Sequence, residues 1–395
     1  MALSRKVQQV QPSATLAMSS KTKEMIAKGI DVINLSIGEP DFTTPKAIGD
    51  AAIAAINSGK ASFYTPAGGL PELKTAIRAR IKAEDGVDYQ QNQVIVTDGA
   101  KFALFLIFQV ILNPGDNVLL PEPFWVSYSE QVRLAGGQPL AVKASGKDHK
   151  VTVADLEQMR TPQTQAMVIN SPQNPSGLLY TAEELRELGN WAVAHDILIV
   201  VDDIYSNLVY NGNQFTSLVS LGEAIKKQTL LVTGVSKTYA MTGWRIGYVL
   251  GDPQIIKAMN TVASHATGNP AAVSQYAALA GLNGDQKDAE KMRLAFEKRL
   301  NLLYPKIKSL PGFEIETKPQ GAFYIFPKVK QAVAQCGYST TEEFVEALLE
   351  EAHVAVVSGR SFGQPDYIRI SYATDQASLD EAYKRIRAFL ETKSK

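Results

Sequence analysis

What the chain lacks narrows it first. Cysteine occurs once, at Cys336, so no intrachain disulfide can form and a reducing compartment is expected. Neither sign of charge dominates. Forty Lys and Arg balance forty Asp and Glu, which argues against an extended nucleic-acid surface or a polybasic membrane anchor. Long apolar runs are missing too: the greasiest stretch, Phe102 to Leu112, is interrupted by Gln109 and is too short to span a bilayer. The opening residues, Met1 to Ala17, hold no apolar core of signal-peptide length. These absences lead to an expectation of a soluble cytoplasmic protein with no membrane and no nucleic-acid partner.

Familiar chemical motifs are also absent. The four histidines, at 149, 195, 265 and 353, stand singly, no His or Cys pair has zinc spacing, and no metal is expected. No G-x-G-x-x-G follows a strand pattern, and no Walker loop occurs. Gly359-Arg360-Ser361-Phe362-Gly363 matches the letters of a hydrolase nucleophile elbow. That elbow needs a helix after the serine and a later Asp and His, whereas a proline and a strand pattern follow here.

What is there reads as a globular α/β chain. Hydrophobic residues make up 45% and charged residues 20%, so neither disorder nor a fibrous class fits, and 395 residues allow one large domain or two to three smaller ones. Short apolar strand patterns at Val94 to Thr97, Val118 to Leu120, Ala166 to Asn170, Ile197 to Val201, Leu230 to Thr233 and Ile246 to Leu250 alternate with helical ones. Helices are expected at Phe102 to Leu112 and Thr181 to His195, the second opened by Thr181 and Glu184 at capping-box spacing. Such alternation predicts a mostly parallel sheet covered on both faces, with ligands beyond the carboxyl ends of its strands. The last third differs: strands at Phe313 to Ile315, Ala322 to Phe326 and Tyr367 to Ser371 and helices at Thr341 to Ala352 and Ser378 to Leu390 read as a smaller α+β domain.

The most informative segment runs Gly234-Val235-Ser236-Lys237-Thr238-Tyr239-Ala240-Met241-Thr242-Gly243-Trp244-Arg245-Ile246-Gly247. A lysine sits just past a strand, with an arginine eight residues on. The whole run resembles the pyridoxal-phosphate attachment signature of class I aminotransferases, in particular the Iβ branch that holds many bacterial aspartate aminotransferases. Similar segments occur at Leu35 to Pro45, Tyr64 to Leu73, Asn170 to Gly177, Asp202 to Tyr205 and Arg369 to Thr374, so the resemblance covers nearly the full chain.

The resemblance implies the fold of fold-type I pyridoxal 5'-phosphate enzymes. Residues 1–45 would complete the small domain, 46–290 form the large cofactor domain and 291–395 the small C-terminal domain. It implies that Lys237 is the catalytic amine that condenses with the cofactor aldehyde and then moves the Cα proton. Asp202 would keep the ring nitrogen protonated, because a nearby negative charge favours the charged form. Asp203, where the family frequently has Glu, is expected to be structural. Tyr205 and Asn174 match the donors to the ring's phenolic oxygen, though Asn174-Pro175 is also a common turn initiator. Trp125 aligns with the aromatic that stacks on the ring, beside the substrate. Gly99, Ala100 and Lys101 open a helix suited to a phosphate, assisted by Ser236 and Arg245. Gly234 stands where many relatives carry a serine, so one phosphate contact differs. Tyr64 matches a tyrosine contributed across a homodimer interface, implying composite sites. Arg369 and Gly38 match the residues that hold the substrate α-carboxylate, Arg369 through its planar fork. Lys101 has three readings: a phosphate ligand, a partner for the distal carboxylate of aspartate, or a solvated helix-end lysine.

The implied reaction is transamination between an amino acid and a 2-oxo acid, with L-aspartate and 2-oxoglutarate leading. Aromatic amino acids or prephenate, and carbon–sulfur β-elimination on the same fold, are the alternatives. A non-catalytic ligand sensor is a further class. Aminotransferase-like regulators carry an added DNA-binding domain, and this chain opens almost directly on the family's N-terminal segment.

Overall fold

The computed structural model describes residues 3–12, 14–146 and 148–393. Among the described residues twelve strands follow in order: β1 Ile33–Asn34, β2 Val94–Thr97, β3 Asn117–Pro121, β4 Gln138–Val142, β5 Thr164–Asn170 and β6 Leu198–Asp202. Then come β7 Thr229–Gly234, β8 Gly247–Leu250, β9 Tyr324–Ile325, β10 Val354–Ala355, β11 Val357–Ser358 and β12 Ile368–Ser371. Seven of them form one sheet, ordered β2-β8-β7-β6-β5-β3-β4. Every residue of β2, β3, β7 and β8 is buried, which is why these strands read as unbroken apolar runs and not as alternating ones. Helices cover both faces. Ile77, Leu73 and Trp191 join the core on one side, and Leu104, Phe108 and Met259 on the other.

One strand runs against the rest. β8 pairs antiparallel with both β2 and β7, with Gly247 opposite Thr97 and Gly234. The first residues of β8 therefore lie where its neighbours end. Arg245, two residues before β8, reaches the ligand-facing edge of the sheet for this reason.

Local signals explain the connections. The Thr181 backbone N–H donates to Glu184 Oε2 at 2.7 Å and the Glu184 N–H to Thr181 Oγ1 at 3.2 Å, so the expected capping box opens helix Ala182–Ala194. Helix Ala100–Ile111 begins on Gly99, whose φ of 87° is open to glycine and strained for other residues.

The C-terminal third folds round its own core, built on Phe296, Phe323, Phe344 and Ile370. Here β11, β12 and β9 form an antiparallel sheet, and β1 pairs in parallel with β10, Ile33 opposite Val354. The N-terminal segment thus adds a strand to this part. The expected strand at Phe313 to Ile315 is not formed: Glu314 makes a single bridge to Lys328, with N–H···O bonds of 2.9 Å in both directions. A left-handed Gly312 before it and a bend at Glu316-Thr317 after it leave no residues to extend the ladder. The Ala322 to Phe326 expectation shortens to β9.

Candidate active site

The carboxyl ends of β2, β3, β5, β6 and β7, the residues just before β8, those after β1, and Tyr324 of β9 with Arg369 of β12 surround one cavity of about 560 Å³. Its lining includes Gly38, Ala100, Lys101, Trp125, Asn174, Asp202, Tyr205, Ser236, Lys237, Arg245 and Arg369, eleven of the residues singled out from sequence. Two others stand apart from that wall. Gly99 lies just behind it, where an added Cβ would sit 2.1 Å from Arg245 Nη2, so only glycine lets the guanidinium lie against the helix start. Tyr64 is 96% exposed and, within this chain, does not reach the cavity.

Asp202 ends β6 and is enclosed. Burial raises its pKa to about 6, opposed by a hydrogen bond from Tyr128, the Ile204 N–H and the charge of Lys237. Tyr128 Oη donates to Asp202 Oδ2 at 2.7 Å. Asn170 Nδ2 donates to the Asp202 carbonyl at 2.7 Å, while Asn170 Oδ1 accepts the Asn174 N–H at 2.8 Å. One side chain therefore fixes both the acid's backbone and the loop that carries Asn174.

Lys237 follows β7. Burial pulls its pKa down to about 8, against the charge of Glu39, with Arg369 and Arg245 lowering it and Asp202 raising it. Its Nζ donates to the Gly38 carbonyl at 2.5 Å. Lys101, one residue into helix Ala100–Ile111, holds its Nζ 4.9 Å from the Trp125 ring centroid. Lost solvation and the neighbouring Arg245 lower its pKa.

Arg245 itself adopts a left-handed backbone (φ 57°) and is held by Nη1 donating to Thr242 O at 2.7 Å and Nη2 to Asp98 O at 3.3 Å. Two glycines make this corner possible. A Cβ at Gly247 would lie 2.3 Å from the Ala100 nitrogen, and one at Gly234 would lie 2.8 Å from the Ile246 carbonyl. A serine at Gly234 would thus require a backbone shift in this chain.

Arg369, in β12, is 2% exposed. Its Nη1 donates to Asn174 Oδ1 at 3.1 Å and its Nη2 to Ser36 O at 2.7 Å, while Nε is buried without a partner. An unmet donor of a buried cation is costly unless a ligand completes it.

Sequence reasoning gave no role to Tyr128, Asn170, Tyr324, Glu39 and Thr242, all of which line the cavity. Tyr128 and Asn170 lay inside segments already singled out, and their polar groups beside apolar strands were the available signal. Tyr324, bonded to the Tyr205 hydroxyl at 2.8 Å, belongs to a strand that read as core. Among the described residues no group of His, Cys, Asp and Glu is arranged to hold a metal ion, and no helix is long and apolar enough to cross a membrane.

The family model described as aminotransferase class I and II matches residues 30–386. An aspartate aminotransferase of Geobacillus stearothermophilus is 51% identical over the full length of both chains. An asparagine–oxo-acid transaminase of Streptococcus mutans is 50% identical, covering 98% of this chain and 99% of its own. Among solved structures, the aspartate aminotransferase of Rhizobium meliloti superposes with a TM-score of 0.94 at 38% identity, covering 99% of both chains.

Proposed function

We propose that this chain, which belongs to the aminotransferase class I and II family, moves the amino group of L-aspartate to 2-oxoglutarate with pyridoxal 5'-phosphate as cofactor. One observation carries the reading: a half-buried lysine, a buried aspartate and two arginines meet in a single cavity at the strand ends. The relatives of known activity support the choice of aspartate.

The residues fit the cofactor. Asp202 presents a carboxylate to a cationic ring nitrogen, the helix start at Gly99 and Ala100 with Ser236 and Arg245 suits a phosphate, and Trp125 offers a flat face. Asn174 and Tyr205 are the donors to the ring's phenolic oxygen in this reading. When bound, the cofactor supplies the aldehyde that takes up an amino group and the ring that stores the electrons released at Cα.

The remaining work belongs to the chain. Arg369, with one donor unmet, grips the substrate α-carboxylate, assisted by Gly38. Lys237, with a pKa near 8, supplies a neutral amine at Nζ that accepts the Cα proton and returns it on the other side of the reaction. Lys101 meets the distal carboxylate. Tyr64 serves the site of a second copy, so a cytoplasmic homodimer with shared sites is part of the reading; exposed Phe63, Ile53 and Ile56 nearby in sequence support it. In this reading residues 46–290 form the cofactor domain, and 1–45 with 291–395 the smaller one, whose core also takes in Ile204, Tyr205, Leu208, Tyr210 and Ala240 at the junction.

A second reading of the donor is asparagine, favoured by the Streptococcus mutans relative. A half-reaction panel decides: the holoenzyme is mixed with each amino acid and the fall of the visible cofactor band is followed. Aspartate should react fastest. Faster reaction with asparagine would move the assignment to the amide, and reaction with neither would overturn it.

A further inference from the structure

Asp203 follows Asp202 directly but lines a different cavity, of about 90 Å³, together with Asp85, Arg80, Glu84, Thr238 and Tyr239. The space suits several waters. Asp203 is 4% exposed and accepts a hydrogen bond from Ser217 Oγ at 3.0 Å. Its backbone N–H donates to Val232 O at 2.9 Å, and its carbonyl accepts from Thr233 Oγ1 at 3.3 Å. Asp203 thus stitches the end of β6 to the end of β7, which continues into Lys237.

Among the described residues no Lys or Arg pairs with Asp85 or Asp203. Arg80, on the same helix, is taken by Glu84 at 2.6 Å. Asp85 is the last residue of helix Pro71–Asp85, where the helix dipole opposes a negative charge. The other titratable groups facing the cavity are Tyr239 and Tyr248, with Tyr89, Glu223 and Lys226 beyond them. Two further carboxyls in an enclosure whose Arg80 is already paired with Glu84 cannot both ionise cheaply.

We propose that Asp203 is a proton-bearing positioning residue, sharing its proton with Asp85 across this cavity, so that Asp202 is the one full negative charge at the end of β6. The inference rests on the reading of Asp202 given above. Burial raises both carboxyls, Asp203 well above the carboxylate range with the charge of Asp85 adding to it, and Asp85 to about 7 with the charge of Glu84 adding to it.

The test uses holoenzyme. A neutral Asp203 is replaceable by its neutral isostere, so Asp203→Asn should keep kcat within about threefold of wild type while Asp202→Asn collapses it. The second readout needs no substrate. A folded-state pKa above the unfolded one gives stability that is fully present below about pH 4 and is lost between there and about 7. Asp85→Asn removes this loss, so its melting temperature should gain steadily on that of wild type from about pH 4 to about pH 7 and keep a constant lead above it. A gap that stays flat with pH, or a collapse of kcat in a folded Asp203→Asn variant, overturns the proposal. If Asp202→Asn also leaves kcat intact, the reading of Asp202 fails, and the melting gap still judges the carboxyl pair.

Discussion

Tyr128 Oη lies 2.7 Å from Asp202 Oδ2, a buried phenol whose hydroxyl donates to the acid that ends β6. Both groups are enclosed, and the bond lowers the pKa that burial raises. A tyrosine in this position holds Asp202 ionised and fixes which way its carboxylate faces.

Tyr128→Phe removes that donor with little change of volume. A hydrogen bond to a charged group is worth about 1.5–3 kcal/mol, so the Asp202 pKa should climb by about one to two units. The acid limb of the kcat profile should move to higher pH by that amount, with the loss largest near pH 6 and least near pH 9. A profile superimposable on wild type would show that Asp202 takes its charge from elsewhere.

Lys237 gives a prediction of the opposite sense. Burial holds its pKa near 8, below that of a free lysine. Only the neutral amine can attach to the cofactor. Reconstitution of the stripped enzyme should therefore quicken as pH rises toward about 8 and level beyond it. Stopped-flow absorbance measures this, and a rate that keeps climbing to pH 10 would mean an unperturbed lysine. Lys237→Ala should retain bound cofactor through the other contacts while kcat falls at least about 100-fold, having lost its proton carrier.

The alternation of apolar runs with helical patterns was enough to read the large sheet, because a parallel strand buried on both faces leaves a continuous signature. The reversal of β8 was not legible. Its four residues, Gly247 to Leu250, look like any other buried strand, and the direction is set by pairing with β2 and β7. Strand Phe313 to Ile315 failed for a related reason: an apolar-polar-apolar triplet also satisfies a single bridge. At the cavity, the residues assigned to cofactor and substrate in the proposed reading carried chemistry in their own letters. Tyr128 and Asn170 act through Asp202 and Asn174, and a partner contacted only in space leaves no mark at fixed spacing.

Tyr64 tests the dimer. It is 96% exposed in one chain, an unusual fate for a tyrosine in a sequence with a full core. If its hydroxyl serves the neighbouring copy, mixed dimers of Tyr64→Phe and Arg369→Ala chains should regain activity that neither parent shows, since one of the two sites then has both residues. Subunit exchange is verified by native mass spectrometry. Exchange without recovery would make each site self-contained.

Lys101 tests specificity. Its ammonium sits 4.9 Å from the centre of the Trp125 ring, at the start of a helix whose dipole opposes a cation. Lost solvation and Arg245 already lower its pKa, so the charge is held at a cost that a bound anion would offset. Two anions are within the logic of the cavity: the cofactor phosphate, shared with Arg245, and the distal carboxylate of aspartate. Truncating one partner of a desolvated charge pair costs about 2–5 kcal/mol, and tenfold per 1.4 kcal/mol makes that about 30- to 3,000-fold. Lys101→Ala should cut kcat/KM for aspartate within that range and leave alanine and phenylalanine nearly unchanged. Equal losses for every amino acid, with weaker retention of cofactor, would assign Lys101 to the phosphate. No loss for any substrate would leave it resting on Trp125 as a solvated side chain, and the selectivity for a dicarboxylate would lie with another residue.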